Sequence, residues 1–251
     1  MYYIFYAFVV LISTILGSLA GLGGGVIIKP FLDVLGFHDI LTISFYSSCA
    51  VFTMALFSTL KNNKSKSVDK YFTYCMCCGS VAGGYFGNQI FNLYNSVFIN
   101  VKVIQSIISI MLLISILILT YINIYFNMKI NKLSGFVCGM ILGTLSSFLG
   151  VGGGPYNVAL LINFFGFDIK KAAQYSIVII LFTQVSNLFT TLYNYKINIF
   201  DLSFLWVIIP SAIVGGKIGL KIREVIKERY VKIIYIITVL FVIALNIINL
   251  I

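Results

Sequence analysis

The chain has 251 residues, of which 60% are hydrophobic and only 10% charged, with a mean hydropathy of +1.05. Soluble domains carry charge on about a quarter of their residues, so a water-soluble fold is excluded and an all-α polytopic membrane protein is expected. A formal net charge of +10 would suggest nucleic acid in a soluble protein. Here the cations fall in short stretches between apolar runs, where they report topology, and no nucleic-acid partner is expected.

The first apolar run, Tyr3–Ala20, ends at Gly21-Leu22-Gly23-Gly24-Gly25, and a short helix is expected over about Val26–Leu35. No Lys or Arg precedes Lys29, so the first run does not read as a signal peptide. Spans follow over about Ile40–Leu60, Tyr71–Leu93 and Val101–Phe126. The second half opens with Leu133–Leu149, breaks at Gly150-Val151-Gly152-Gly153-Gly154 and resumes over Tyr156–Phe165. It continues through Lys171–Tyr195, Phe200–Leu220 and Val231–Ile251. Uncharged runs such as Val103–Phe126 have the length of about twenty residues that a bilayer demands. The helices after each break reach only about 15 Å, half of a hydrocarbon core.

The two glycine runs lie 129 residues apart, and the repetition extends beyond them. Gly36-Phe37 returns as Gly166-Phe167, Tyr46-Ser47 as Tyr175-Ser176, and Ala82-Gly83-Gly84 as Val214-Gly215-Gly216, the offset drifting only to 132. The chain therefore reads as one membrane transport domain, 1–251, built from repeats 1–128 and 129–251. Small residues at every fourth place, Gly79, Gly83 and Gly87 with Ser211, Gly215 and Gly219, let helix backbones approach closely in lipid.

Charge chooses how each broken helix lies. If each glycine unit enters and leaves on one side, Lys61, Lys64, Lys66, Lys70, Lys129, Lys132, Lys170, Lys171, Lys221, Arg223, Lys227, Arg229 and Lys232 share a face. That places thirteen of the 17 basic residues together, with only Lys102 and Lys196 opposite and Lys29 and Lys217 within segments. The positive-inside bias thus favours two hairpins, each followed by three crossings. The halves are then inverted repeats, both termini lie outside the cytoplasm, and the cell membrane is the expected location.

Non-helical backbone inside a bilayer is tolerated only where it is buried in protein or lines a cavity. Paired breaks in two halves point to a transporter's substrate site. A break leading into a helix presents unpaired amides and the positive end of the dipole, which is an anion-binding device. The site is accordingly expected around Gly21, Gly23, Gly24, Gly25, Gly150, Gly152, Gly153 and Gly154, with Pro155 suited to an early helical position; the alternative is that the glycines serve tight helix crossing alone. Lys29, one turn after the first break, either attracts substrate or is neutralised by Asp33 at i+4; Asp33 is also the candidate for ion coupling. Gln184 and Asn187 share a helix face and either line a pathway or join helices. His38 reads as a solvated loop residue, Lys217 as a snorkelling side chain, and Cys75, Cys77 and Cys78 as small buried hydrophobes. No nucleophile–base pair or metal-ligand set is present in the sequence pattern, so neither enzyme activity nor a cofactor is expected.

Both glycine runs, Pro30 and the Ala82-Gly83-Gly84 and Val214-Gly215-Gly216 pairs resemble the TauE/SafE-type sulfite exporter family, also called toluenesulfonate uptake permeases, across essentially the whole chain. The second copy has no proline equivalent to Pro30 and carries Pro155 earlier instead, directly after its glycine run, so the half-sites are not equivalent. The resemblance implies transport of sulfite, sulfonates or other small organosulfur anions, usually outward; a monomer or homodimer in the lipid bilayer is expected. The alternatives are a proton-coupled importer, an anion channel, or a thiol-dependent sulfur-relay subunit.

Overall fold

The computed structural model describes residues 2–62, 70–97, 101–122, 130–150, 152–195 and 199–250. Lys64, Lys66, Lys129 and Lys196 of the charge argument lie outside the described residues, as do Val151 and the boundary between repeats at 128 and 129. The described residues contain α1 (Tyr2–Ala20), α2 (Gly25–Leu35), α3 (Ile40–Asn62), α4 (Lys70–Val97), α5 (Val101–Ile122), α6 (Lys132–Leu149), α7 (Gly154–Phe165), α8 (Ile169–Asn194), α9 (Leu205–Val225) and α10 (Glu228–Ile248), and no strand.

Among the described residues, seven helical stretches are long and apolar enough to cross a membrane: α1, α3, α5, α6, α8, Leu202–Val225 and α10. The chain is a multi-pass helical membrane protein. The expected span Tyr71–Leu93 falls inside α4, which has 28 residues but stays outside that set because glycine, tyrosine and asparagine dilute its apolar character.

Helix ends follow local chemistry. Asn131 opens α6 with a capping box, its side chain accepting from the Ser134 amide at 2.7 Å, and Asp168 caps α8 through the Lys171 amide at 2.8 Å. Helix α9 is displaced from the expected Phe200–Leu220. Asp201 accepts from the amide and hydroxyl of Ser203, holding Leu202–Phe204 in a short 3-10 turn, and the helix continues through Arg223 to Val225.

Each broken helix folds back on itself. After α2, Phe37 packs edge-on against Tyr2 at 4.8 Å and His38 shares a 2.7 Å hydrogen bond with Tyr6, so the chain returns to the start of α1. After α7, Phe165 and Phe167 meet Phe72 at 5.0 and 6.3 Å, and Phe72 also lies against Gly135 near the start of α6. The first turnaround forms an aromatic end, where His38 sits among Tyr6, Tyr46 and Phe204. His38 does lie in the bend between α2 and α3, but it is half-buried against those rings rather than fully solvated as expected. The second turnaround forms a basic end, where Lys132 lies over Tyr71, Lys171 lies over Phe167, and Arg229 and Lys232 line a recess of about 710 Å³.

Backbone contact through small residues holds the pairs together. A Cβ on Gly79, Gly83 or Gly87 of α4 would strike the carbonyls of Phe136, Met140 or Thr144 on α6, and Gly139 and Gly143 of α6 press equally on Met76 and Ser80. Gly215 and Gly219 of α9 press on Leu11, Thr14 and Ile15 of α1. In lipid no hydrophobic force drives such association, so close van der Waals approach supplies it. The stripe Gly135, Gly139 and Gly143 went unread in the sequence, although its spacing of four is plain there.

Candidate functional site

The breaks are built by glycines in the left-handed region. Gly21, Gly23 and Gly24 have φ of 76, 83 and 73°, and Gly150, Gly152 and Gly153 have 64, 77 and 65°, values that cost an L side chain about 1–2 kcal/mol. The end of α1 closes with the Leu22 amide donating to the Gly17 carbonyl at 2.8 Å. Helix α2 begins with Ile27 and Ile28 donating to Gly24, and α7 with Asn157 donating to Gly153. The first amides of α2 and α7 precede the intrahelical ladder and carry the positive ends of two dipoles. Gly25 and Gly154 open those helices, and Pro155 follows in the first turn of α7.

The two breaks meet. A Cβ on Gly154 would run into the Leu22 carbonyl, and Val51 Cγ1 lies 3.6 Å from the Cβ positions of both Gly23 and Gly152. Their seats are reciprocal: Gly21 lies against Ala173 of α8, while Gly150 lies against Ser44 of α3, with its Cβ position 3.4 Å from Ser44 Oγ. Positions 44 and 173 are separated by the same 129 residues as the glycines they support. Close packing and a backbone break are therefore properties of the same residues. Ser176 adds a 2.6 Å hydrogen bond to the Gly21 carbonyl.

Lys29 is 3% exposed, and its Nζ donates to Gln105 Oε1 at 2.7 Å and to the Leu149 carbonyl at 3.0 Å. Gln105 Nε2 in turn donates to the Phe148 carbonyl at 2.7 Å. The lysine thus meets the negative end of α6, a favourable place for a cation. Asp33 stands half-buried on α2, one turn beyond Lys29. Lys217 is exposed, in keeping with a snorkelling side chain.

A small cavity of about 30 Å³ opens beside the second break, lined by residues including Ser44, Phe91, Ser147, Gly150 and Asn187. Ser44 Oγ, Ser147 Oγ and Asn187 Oδ1 have no hydrogen-bond partner among the described residues. Asn187 Nδ2 donates to Gln184 Oε1 at 3.5 Å, and Gln184 Nε2 lies 3.5 Å from the Gly152 Cβ position. The structure therefore brings Gln184 and Asn187 to the glycine joint.

Three buried polar residues there were missed in the sequence. Ser146 lies against Gly153, Asn157 sits in the first turn of α7 with both amide atoms unpartnered among the described residues, and Arg223 is 2% exposed. Arg223 was placed in the loop cluster at 221–232. Its spacing of four from Gly215 and Gly219 was the available signal, since those glycines mark the packed face of α9. Cys77 is buried, but Cys75 is half-buried and Cys78 exposed, so the expected burial of all three is corrected: the α4 face carrying Cys78 points away from α6 and α8. No group of three His, Cys, Asp or Glu side chains gathers as a metal site among the described residues.

Comparison with known proteins places this geometry. A probable membrane transporter protein of Methanocaldococcus jannaschii is 26% identical over 231 residues, covering 87% of this chain and 85% of the relative. A probable membrane transporter protein of Bacillus subtilis is 25% identical over 243 residues, covering 87% and 88%. The model of the sulfite exporter TauE/SafE family matches residues 6–247, and the chain belongs to that family of membrane transporters.

Proposed function

We propose that the protein exports small sulfur-containing anions, such as sulfite or organosulfonates, by alternating access around the joined glycine breaks. The observation that carries this reading is the convergence of two helix N-termini at a joint bordered by the Ser44 and Ser147 hydroxyls, which have no hydrogen-bond partner among the described residues. Amide and hydroxyl donors at positive dipole ends suit an oxyanion, and the family match supports the sulfur-containing class.

Gly21, Gly23, Gly24, Gly25, Gly150, Gly152, Gly153 and Gly154 form the joint, Pro155 starts α7, and Gln184 and Asn187 line the approach. Lys29 sets the positive field while it holds the end of α6. The two hairpins belong to inverted halves that rock against the remaining helices, with the aromatic end and both termini outside the cytoplasm and the basic end inside. A cavity of about 30 Å³ admits a water or two, so the hairpins must part before an anion enters. With the cell interior negative, each monovalent anion leaving gains about 2.3 kcal/mol per 100 mV, so export runs without a coupling ion. One chain supplies both breaks, so a monomer suffices; a homodimer would carry two separate sites.

Purified protein in liposomes, assayed by counterflow against sulfite, sulfate, thiosulfate and small sulfonates, tests the proposal. Saturable sulfite or sulfonate flux supports it, and flux of none of these anions removes it. Asp33→Asn should leave the pH dependence of flux unchanged; a flattened pH profile would instead mark Asp33 as a coupling group for proton-driven import.

A further inference from the structure

The open cavity at the aromatic end has a closed counterpart at the basic end. Shifting its lining by the repeat offset takes Ser147 to Ser18, Gly150 to Gly21, Ser44 to Ala173 and Asn187 to Ser58. By the 132-residue offset that relates Gly83 to Gly215, Phe91 becomes Arg223. These counterparts are gathered in space. Ser18 and Ser58 hydroxyls lie 3.3 Å apart, Arg223 Nη1 donates to the Ser18 carbonyl at 3.2 Å, and Gly21 packs on Ala173. They are also sealed, with Ser18 fully buried and Arg223 at 2% exposure.

We propose that Arg223, with Ser18 and Ser58, is the anion-capturing group of a second vestibule that is shut in this structure and opens at the basic end; the proposal rests on the transport reading above. Arg223 Nη2 is buried with no hydrogen-bond partner among the described residues, an arrangement that a protein interior tolerates poorly for a charged donor. A guanidinium is a planar fork of donors matched to oxyanions. Nη1 holds the end of α1 while Nη2 is left to receive an oxyanion oxygen. Phe91 occupies the equivalent place at the aromatic end, where an apolar ring supplies no donor and leaves the hydroxyls of Ser44 and Ser147 to meet the anion. Arg223 therefore adds at the basic end a charged donor with a nitrogen to spare, whereas Lys29 beside Gly150 at the aromatic end is already held by Gln105 and Leu149.

Sulfite uptake and efflux in vesicles of opposite orientation, carrying the full-length protein, test this assignment. Arg223→Gln should raise the KM for sulfite offered at the basic end by about tenfold or more and alter KM at the aromatic end by less than about twofold, with Arg223→Lys in between. Equal shifts at both ends, or none, overturn the proposal. A purely structural role would lower melting temperature and maximal rate without splitting the two KM values. If Arg223→Gln fails to insert, Phe91→Arg should tighten KM at the aromatic end several-fold, and an unchanged value there overturns the equivalence. Absence of wild-type flux from either end defeats the transport reading instead. In that event, Ser18→Cys in a background with the native cysteines changed to alanine isolates the vestibule: an impermeant maleimide at the basic end should label it about tenfold faster when Arg223→Gln is added. An unchanged labelling rate overturns the vestibule itself.

Discussion

The two glycine breaks share a backbone and differ in what surrounds them. Both turn through left-handed glycines, and both precede a helix of 11 or 12 residues. The carbonyl end of the helix before each break is met by a buried cation, but from unrelated positions: Lys29 of α2 reaches Leu149 of α6, whereas Arg223 of α9 reaches Ser18 of α1. Lys29 is satisfied by Gln105 as well, while Arg223 Nη2 has no hydrogen-bond partner among the described residues. The two breaks thus share the requirement that a helix end inside the membrane be electrically balanced, and meet it with different side chains. On the reading proposed above, the more satisfied cation holds structure and the less satisfied one receives the ligand.

The comparison breaks most severely where the halves touch. Gly154→Ala drives a methyl group into the Leu22 carbonyl, and a displacement approaching 1 Å should lower flux by about a hundredfold. Gly36→Ala is the control: its φ is also positive, at 65°, but nothing lies within 4 Å, so it should cost only about 1 kcal/mol of stability and leave flux intact. Comparable flux in the two variants would show that the joint does not matter. Lys29→Met comes next, since it strips a donor from buried Gln105 and Leu149 and should destabilise the protein by about 1–3 kcal/mol. Lys217→Met, at an exposed site, should shift the melting temperature far less. Ser147→Ala and Asn187→Ala should each weaken KM at the aromatic end by about two- to tenfold; unchanged values would separate the cavity from the pathway. The smallest effect belongs to Cys75, Cys77 and Cys78, whose joint replacement by alanine should alter flux by less than about twofold. A collapse of flux with the fold retained would revive a thiol mechanism.

Much of the design was legible because it is periodic. Apolar runs marked the helices, duplicated glycines marked the breaks, and the count of basic residues favoured hairpins, which the contacts of Phe37 with Tyr2 and of Phe165 with Phe72 match in kind. What the sequence hid was partnership across distance. Lys29 finds Gln105 and Leu149 at separations of 76 and 120 residues, and nothing local announces either. His38 is a loop residue, as its neighbours suggest, but three aromatic rings from separate segments pack against it and leave it half-buried. Arg223 was masked by neighbouring cations, although its helical phase with Gly219 pointed inward. Cys78 shares its apolar stretch with Cys77 and lies on the opposite exposure class, a difference of helix face that composition cannot express.

The contact between the Leu22 carbonyl and Gly154 has a mechanical corollary. With no side chain interposed to cushion them, neither hairpin can shift without being felt at once by its sibling. In the proposed transport cycle, opening toward one compartment would then enforce shutting toward the other and keep protons and small electrolytes from slipping through.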